Sequence, residues 1–251
     1  MGFPYEILII LLLLLSIFLS LYTLHKSRRI NLMQYDQVNE LNLTYHQIQA
    51  FIALHHRLGL DYALPPLRGW AASPDILLLL AEHVNQHKPE IIVECSSGAS
   101  SIVLAQCAKQ NGKGHVYSLE HDSLYAEKTR QELIKQNLQD WVTVIDAPVK
   151  PYVLADKNYR WYTLNEEIQN KQIDMIIIDG PPNSLNQHAR YPAGPLLFPS
   201  LSNKAAVFLD DTNRTDERET VEKWLLEFPN LHAQKHNCEK GAVSLSNFAV
   251  Q

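Results

Sequence analysis

The chain has 251 residues, with 22 Lys and Arg against 27 Asp and Glu and a formal net charge of −5. Once an N-terminal apolar segment is set aside, that length holds one domain with a full core, and the mildly acidic balance, without basic stripes interleaved with aromatics, excludes a nucleic-acid footprint. Cys95, Cys107 and Cys238 stand far apart without a CxxC pair, which excludes a zinc pattern and a disulfide framework and fits a reducing compartment.

Ile7 to Leu24 carries no charged residue and is dominated by Leu and Ile. At ~1.5 Å per residue it spans about 27 Å, close to the hydrocarbon thickness of a bilayer. No basic residue precedes it and no small-x-small site follows before Lys26, so an uncleaved anchor is favoured over a signal peptide. Lys26, Arg28 and Arg29 follow the span, and the positive-inside rule puts that side in the cytoplasm. We therefore expect a single-pass membrane anchor over residues 1–30, a helical linker over 31–63 and a cytoplasmic α/β domain over 64–251. In the linker, Ile48, Phe51, Ile52, His55 and Leu58 share one helical stripe. The heptads are not sustained, which weakens a coiled-coil reading. His46, His55 and His56 read as solvated or partly packed rather than metal-binding.

After Pro65-Pro66, Ser73 is placed to N-cap a helix with Pro74 at its first position. Lys88-Pro89 ends that helix. Ile91 to Val93 is a short β-branched run and reads as a buried strand. It ends at Glu94 and passes through Cys95-Ser96-Ser97-Gly98-Ala99-Ser100-Ser101 into a helix that runs to about Gln110. Strand, small-residue turn and helix bring backbone N–H groups against a ligand. Glu94, at the end of a buried strand, suits a ligand with amino or hydroxyl donors. Further strands are expected at His115–Glu120, Trp141–Asp146, Ile173–Asp179 and Ala205–Leu209. Helices are expected at Leu124–Gln136, with Leu124, Thr129, Leu133 and Ile134 inside, and at Glu217–Phe228. Tyr152 to Gln172 reads as irregular plus a short helix. Leu231–Asn237 and Ala242–Val250, with Gly241 in the turn, read as a closing hairpin. Successive β-α units argue for an α/β, Rossmann-like, mostly parallel sheet with helices on both faces.

Strands one to four end in Glu94, Glu120, Asp146 and Asp179, and a fifth ends in Asp210-Asp211. In a parallel sheet these ends line one edge, where ligands bind. Buried carboxylates cost energy unless paired, so a row of them points to a ligand rich in donors. Glu120 suits ribose hydroxyls and Asp146 an adenine amino group.

Glu94 to Ser101, Leu119-Glu120-His121-Asp122, Ile178-Asp179-Gly180-Pro181-Pro182 and Phe208-Leu209-Asp210-Asp211 resemble class I S-adenosylmethionine-dependent methyltransferases, and within them the small O-methyltransferase-like branch typed as methyltransferase domain 24. The lead-in Pro65 to Asp75 and the run Arg190 to Leu197 resemble the same branch. The resemblance covers roughly Leu64 to Val250. It implies a seven-stranded sheet with the last strand antiparallel. It implies that Ser96, Ser97, Gly98 and Ser100 lie against S-adenosylmethionine, that Glu120 holds the ribose with His121 beside it, that Asp146 and Ala147 flank the adenine, and that Asp179 sits between cofactor and acceptor. One departure stands out: the family's usual first glycine is Ser96 here, and serine is free of strain only at negative φ.

For a hydroxyl acceptor, Asp179, Asp210 and His188 are the candidate bases. Catechol-type relatives hold a divalent metal at the places of Asp179, Asp210 and Asp211, and an all-oxygen set would suit Mg²⁺ or Ca²⁺. The lysine that those relatives use as base has no counterpart in Gly180-Pro181-Pro182-Asn183. Trp70 either packs at a helix entrance or covers the pocket. The expected activity is methyl transfer to an oxygen of a small-molecule, glycan or lipid-linked acceptor. A silent membrane-anchored scaffold with the same fold is the alternative. An NAD-type oxidoreductase fits less well, because Gly-x-Gly-x-x-Gly is missing after the first strand.

Overall fold

The computed structural model describes residues 4–60 and 62–248. The chain divides into two compact units, residues 1–46 and residues 47–251. Helix α1 (Tyr5–Leu58) runs unbroken through the expected anchor and linker. It is long and apolar enough to cross a membrane, and none of its most apolar window is buried in protein.

The last turns of α1 belong to the α/β unit. Leu54 and Leu58 are fully buried in its core. The Leu58 carbonyl accepts from Gln106 (3.1 Å) and Gln110 (2.7 Å), and the Gln47 amide donates to Asp75 at 2.7 Å. The packed face is thus Gln47, Leu54 and Leu58. Ile48 and Ile52, placed by periodicity on the buried stripe, are exposed, because the polar anchors set the rotation of the helix.

The chain continues through α2 (Pro74–His87), β1 (Ile91–Cys95), α3 (Ala99–Asn111), β2 (His115–Glu120), α4 (Ser123–Lys135), β3 (Val142–Asp146), β4 (Val149–Leu154), β5 (Lys157–Tyr162), α5 (Glu166–Gln169), β6 (Ile173–Ile178), α6 (Ala193–Leu197), β7 (Leu201–Asp210), α7 (Thr215–Glu227), β8 (His232–His236) and β9 (Ala242–Ser246). The final strand was expected to reach Val250; it stops at Ser246, and residues 249–250 lie outside the described residues. Seven strands form one sheet in the order β3-β2-β1-β6-β7-β9-β8. β1, β2, β3, β6 and β7 pair in parallel, and β9 pairs antiparallel with both β7 and β8. This is the mostly parallel α/β sheet expected from the sequence.

Alternate residues of each strand feed two cores. Ile92, Val116, Met175 and Ala206 pack with Leu54, Leu58, α2, α3 and α4. Val93, Leu119, Ile176 and Val207 pack with Tyr191, Phe198 and Trp224 on the other side. α4 buries Ala126, Thr129 and Leu133. Leu124 and Ile134, placed inside by the sequence reading, are exposed, since they fall outside this three-and-four spacing.

The segment after β3 corrects an expectation. It is a β-hairpin, not irregular chain: β4 and β5 pair antiparallel from Val149–Tyr162 to Leu154–Lys157. Ala155 and Asp156 make its two-residue turn at φ 47° and 58°, as a type I′ turn needs. Neither is the glycine or asparagine that usually marks such a turn, and Pro151 interrupts the strand pattern. The hairpin buries Tyr159, Trp161 and Tyr162 in the second core.

Candidate active site

β1 and β6 are neighbours, but their following segments leave to opposite faces, so a crevice opens at their carboxyl ends. A cavity of about 750 Å³ lies there. Its walls come from the lead-in to α2 (Pro65, Pro66, Trp70), the turn after β1, the end of β2, one face of α4, and Asp179 with Pro182.

The turn is held from behind. The Gly98 N–H donates to Ser101 Oγ at 3.1 Å, and the Ser101 hydroxyl donates on to Glu94 Oε2. Ser118 Oγ donates to the same oxygen at 2.7 Å. Complete burial pushes Glu94 up to about 7 against these hydroxyls, and its Oε1 has no hydrogen-bond partner. Glu94 is therefore an anchor of the turn and does not line the cavity. Ser96, Ser97, Gly98 and Ser100 do line it. Ser96 takes φ 103°, against the expectation of a negative value. Its N–H donates to the Leu119 carbonyl at 2.9 Å, which holds the strained backbone in place.

Glu120 is nearly buried and its carboxylate is fully engaged. Oε2 accepts from the Ser97 N–H (3.0 Å) and hydroxyl (3.2 Å). Oε1 accepts from the Asp122 N–H at 3.0 Å and faces His121 Nδ1 across 3.1 Å. Burial pushes Glu120 up, but His121 and the N–H groups of Asp122 and Ser97 outweigh it and hold the acid below its usual value. The same contact raises His121. The Ser97 hydroxyl also lies 3.0 Å from Thr129 Oγ1. It can turn there and free a lone pair of Glu120 for a ligand hydroxyl. These residues fit a ribose.

On the third strand the placement differs. The Asp146 carboxylate is exposed, pairs with Arg130 at 2.7 Å, and is not among the cavity-lining residues. Ala147 is buried and donates its N–H to the Glu120 carbonyl at 2.7 Å. Tyr125, Lys128, Thr129 and Glu132 of α4 line the cavity instead. Their spacing marks one helix face, a signal the strand-end reading passed over. Trp70 is 93% exposed at the cavity rim, so it is not a packing residue.

Beside the β1 turn, Asp179 follows β6, donates its N–H to the Cys95 carbonyl at 3.2 Å and lines the cavity. Gly180 is required behind it, because a Cβ there would collide with the Tyr162 hydroxyl. Asp179, Asp210 and Asp211 bring carboxylate oxygens within 4.8 Å of one another, as the sequence suggested. Two of these carboxylates, Asp179 and Asp211, are however already taken by Arg190. Its Nη2 lies 2.6 Å from Asp211 Oδ2 and 3.1 Å from Asp179 Oδ1, and donates to the Asp179 carbonyl at 2.8 Å. Nη1 donates to the Asp210 carbonyl at 2.8 Å. Mg²⁺ needs carboxylate oxygens at about 2.1 Å and Ca²⁺ at about 2.3–2.6 Å, which the guanidinium on Asp179 and Asp211 prevents. As a Mg²⁺ site these residues do not fit. Burial pushes Asp179 up to about 6, with Arg190 opposing, and Asp210 up to about 7. Asp210 is buried behind Asp179 and does not reach the cavity.

His188, a candidate base, turns away. It is buried, its Nδ1 lies 3.2 Å from the Asp216 carbonyl, its Nε2 lies 3.2 Å from Glu219, and it does not line the cavity.

Residues 93–212 match a family model described as a methyltransferase domain. No curated protein matches the sequence. Among solved structures, the chain is similar to the SAH-bound methyltransferase PaMTH1 from Podospora anserina, with 13% identity over 78% of this chain and 86% of that one and a TM-score of 0.53. It is similar to an O-methyltransferase from Bacillus cereus in complex with SAH, with 19% identity, coverage of 77% and 90%, and a TM-score of 0.51. It is also similar to TomG from Streptomyces achromogenes, an O-methyltransferase involved in tomaymycin synthesis and solved with SAM, with 16% identity, coverage of 80% and 87%, and a TM-score of 0.50. At these identities the likeness carries the fold.

Proposed function

We propose that the chain is a membrane-tethered S-adenosylmethionine-dependent methyltransferase acting on an acceptor oxygen; the match of residues 93–212 to a methyltransferase-domain model and the shared fold of solved methyltransferases support this reading. The observation that carries this reading is the cavity itself. The Ser96–Ser100 turn, Glu120 and Asp179 all line it. Its volume falls within the usual range of small-molecule and cofactor sites, about 300–1,000 Å³.

Bound S-adenosylmethionine supplies an electrophilic methyl group. Glu120 and the turn hold the nucleoside end, and the prearranged N–H groups hold Glu120. Asp179 meets the acceptor hydroxyl. Held near 6, its carboxylate is ionised at neutral pH and basic enough to take up a proton. In-line displacement otherwise needs positioning rather than covalent help. Trp70 at the rim offers a flat apolar face to a sugar ring or planar acceptor.

The length and apolar character of α1 support a membrane-associated acceptor. A helix able to span a bilayer, followed by Lys26, Arg28 and Arg29, holds the domain on the cytoplasmic membrane surface. A lipid-linked or membrane-assembled glycan is the acceptor that such tethering serves. The test is transfer of labelled methyl from S-adenosylmethionine to a lipid-linked glycan fraction by the full-length protein in membranes. Label in the extracted glycan lipid, lost in Asp179→Asn, is expected. A protein that binds the cofactor yet labels nothing in that fraction refutes the acceptor assignment. Equal labelling in cells after deletion of residues 1–29 refutes the tethering argument.

A further inference from the structure

We propose that Arg190 is the resident cation of this site: its guanidinium sits on the Asp179 and Asp211 carboxylates where a divalent ion would bind, and it orients Asp179 toward the cavity. This deepens the methyltransferase reading and rests on it only for the identity of the reaction.

The charges account for the arrangement. The carboxylates of Asp179, Asp211 and Glu217 surround the Arg190 guanidinium, with the buried Asp210 next in sequence to Asp211. The Arg190 side chain is 4% exposed; Nη2 meets the carboxylates of Asp179 and Asp211, Nη1 meets only the main-chain carbonyl of Asp210, and Nε lies 3.8 Å from Glu217. Arg214 adds a second cation at 2.9 Å from Asp211 and 3.7 Å from Glu217. Buried acids in such number need fixed positive charge, and here the chain provides it. A guanidinium offers planar, directed donors and stays charged at any working pH. It is also part of the fold: the next residue, Tyr191, is buried, and its carbonyl accepts from Trp224 Nε1 at 2.9 Å. Arg190 cannot leave without stranding the acids.

The geometry also gives Arg190 a directional task. It engages Asp179 through Oδ1 and the main-chain carbonyl. Among the described residues, Asp179 Oδ2 has no protein hydrogen bond, and Asp179 lines the cavity. The arginine thus fixes one oxygen and leaves the other for the acceptor. It is a positioning residue, acting through Asp179.

The test uses the full-length protein in detergent, with Mg²⁺ and Tb³⁺ as probes and SAH binding measured on the same samples. Wild type should show no saturable Mg²⁺ binding and no rise in melting temperature at millimolar Mg²⁺. Arg190→Met should gain Tb³⁺ binding more than about tenfold tighter than wild type, since one charge near the acids has been removed. Arg190→Lys, which keeps the charge, should stay metal-insensitive. Saturable Mg²⁺ binding by wild type that Asp211→Asn abolishes overturns the proposal; binding absent, or left intact by Asp211→Asn, upholds it. This wild-type arm decides the matter even if Arg190→Met does not fold. Failure of SAH to bind a folded wild type counts against the methyltransferase reading and leaves the metal result readable.

Discussion

Replacing Ser96 by glycine should stabilise the domain. Ser96 is held at φ 103° by its place between β1 and Gly98 and by its N–H bond to Leu119. A side chain in such a region costs of order 1–3 kcal/mol. Glycine removes that strain but returns about 0.4–1 kcal/mol through the freer unfolded chain. The balance is a gain of about 1 kcal/mol, a rise in melting temperature of roughly 2–4 °C for a domain of this size. Thermal and urea unfolding of the full-length protein in mild detergent would measure it. SAH binding, followed alongside, should hold or tighten, because the proposed ribose contact is made by Glu120 and not by the Ser96 side chain. A variant that melts at or below wild type refutes the strain argument and means that Ser96 contributes contacts that outweigh its backbone cost.

Stability should fall as pH rises from about 4 to 7. Burial raises Glu94 to about 7, Asp179 to about 6 and Asp210 to about 7, so the folded state holds protons that the unfolded chain releases near pH 4. The stabilisation is complete below the unfolded values and is lost as pH climbs through the folded ones. Melting temperature should therefore be higher at pH 5.5 than at 8, and Asp210→Asn should flatten the slope; a steeper rise with pH would contradict the assignment. Leu58→Ala should cost about 2–5 kcal/mol in urea unfolding, because Leu58 is fully buried in the α/β core; a change within ~0.5 kcal/mol would mean that α1 is only a linker. Trp70→Ala should leave stability unchanged and raise the acceptor KM with little effect on kcat; an unchanged KM would remove Trp70 from the acceptor site.

The sheet was legible because its strands are short β-branched runs that the fold buries on both faces, as in Ile91–Val93 and Ile176–Ile178. The positions of the acids at the strand ends were legible, but not their roles: Glu94 anchors the turn and Asp210 does not line the cavity. The hairpin of β4 and β5 was not, since its turn uses Ala155-Asp156 in left-handed conformations that sequence does not advertise. Nor was the role of Arg190. It lies 11 residues after Asp179 and 20 before Asp210, and only the fold of the intervening loop returns its guanidinium to them. Asp146 shows the opposite error. Its position at a strand end was right, but Arg130 on α4 was close enough to claim its carboxylate.

The central claim is that the cavity binds S-adenosylmethionine through Glu120. Calorimetric titration of the full-length protein with S-adenosylmethionine, beside Glu120→Ala, tests it most directly. Hydrogen bonds to a charged group contribute about 1.5–3 kcal/mol each, so saturable binding should weaken by at least about tenfold in the variant. A folded wild-type protein that gives no binding heat, or a variant that binds as tightly as wild type, would contradict it.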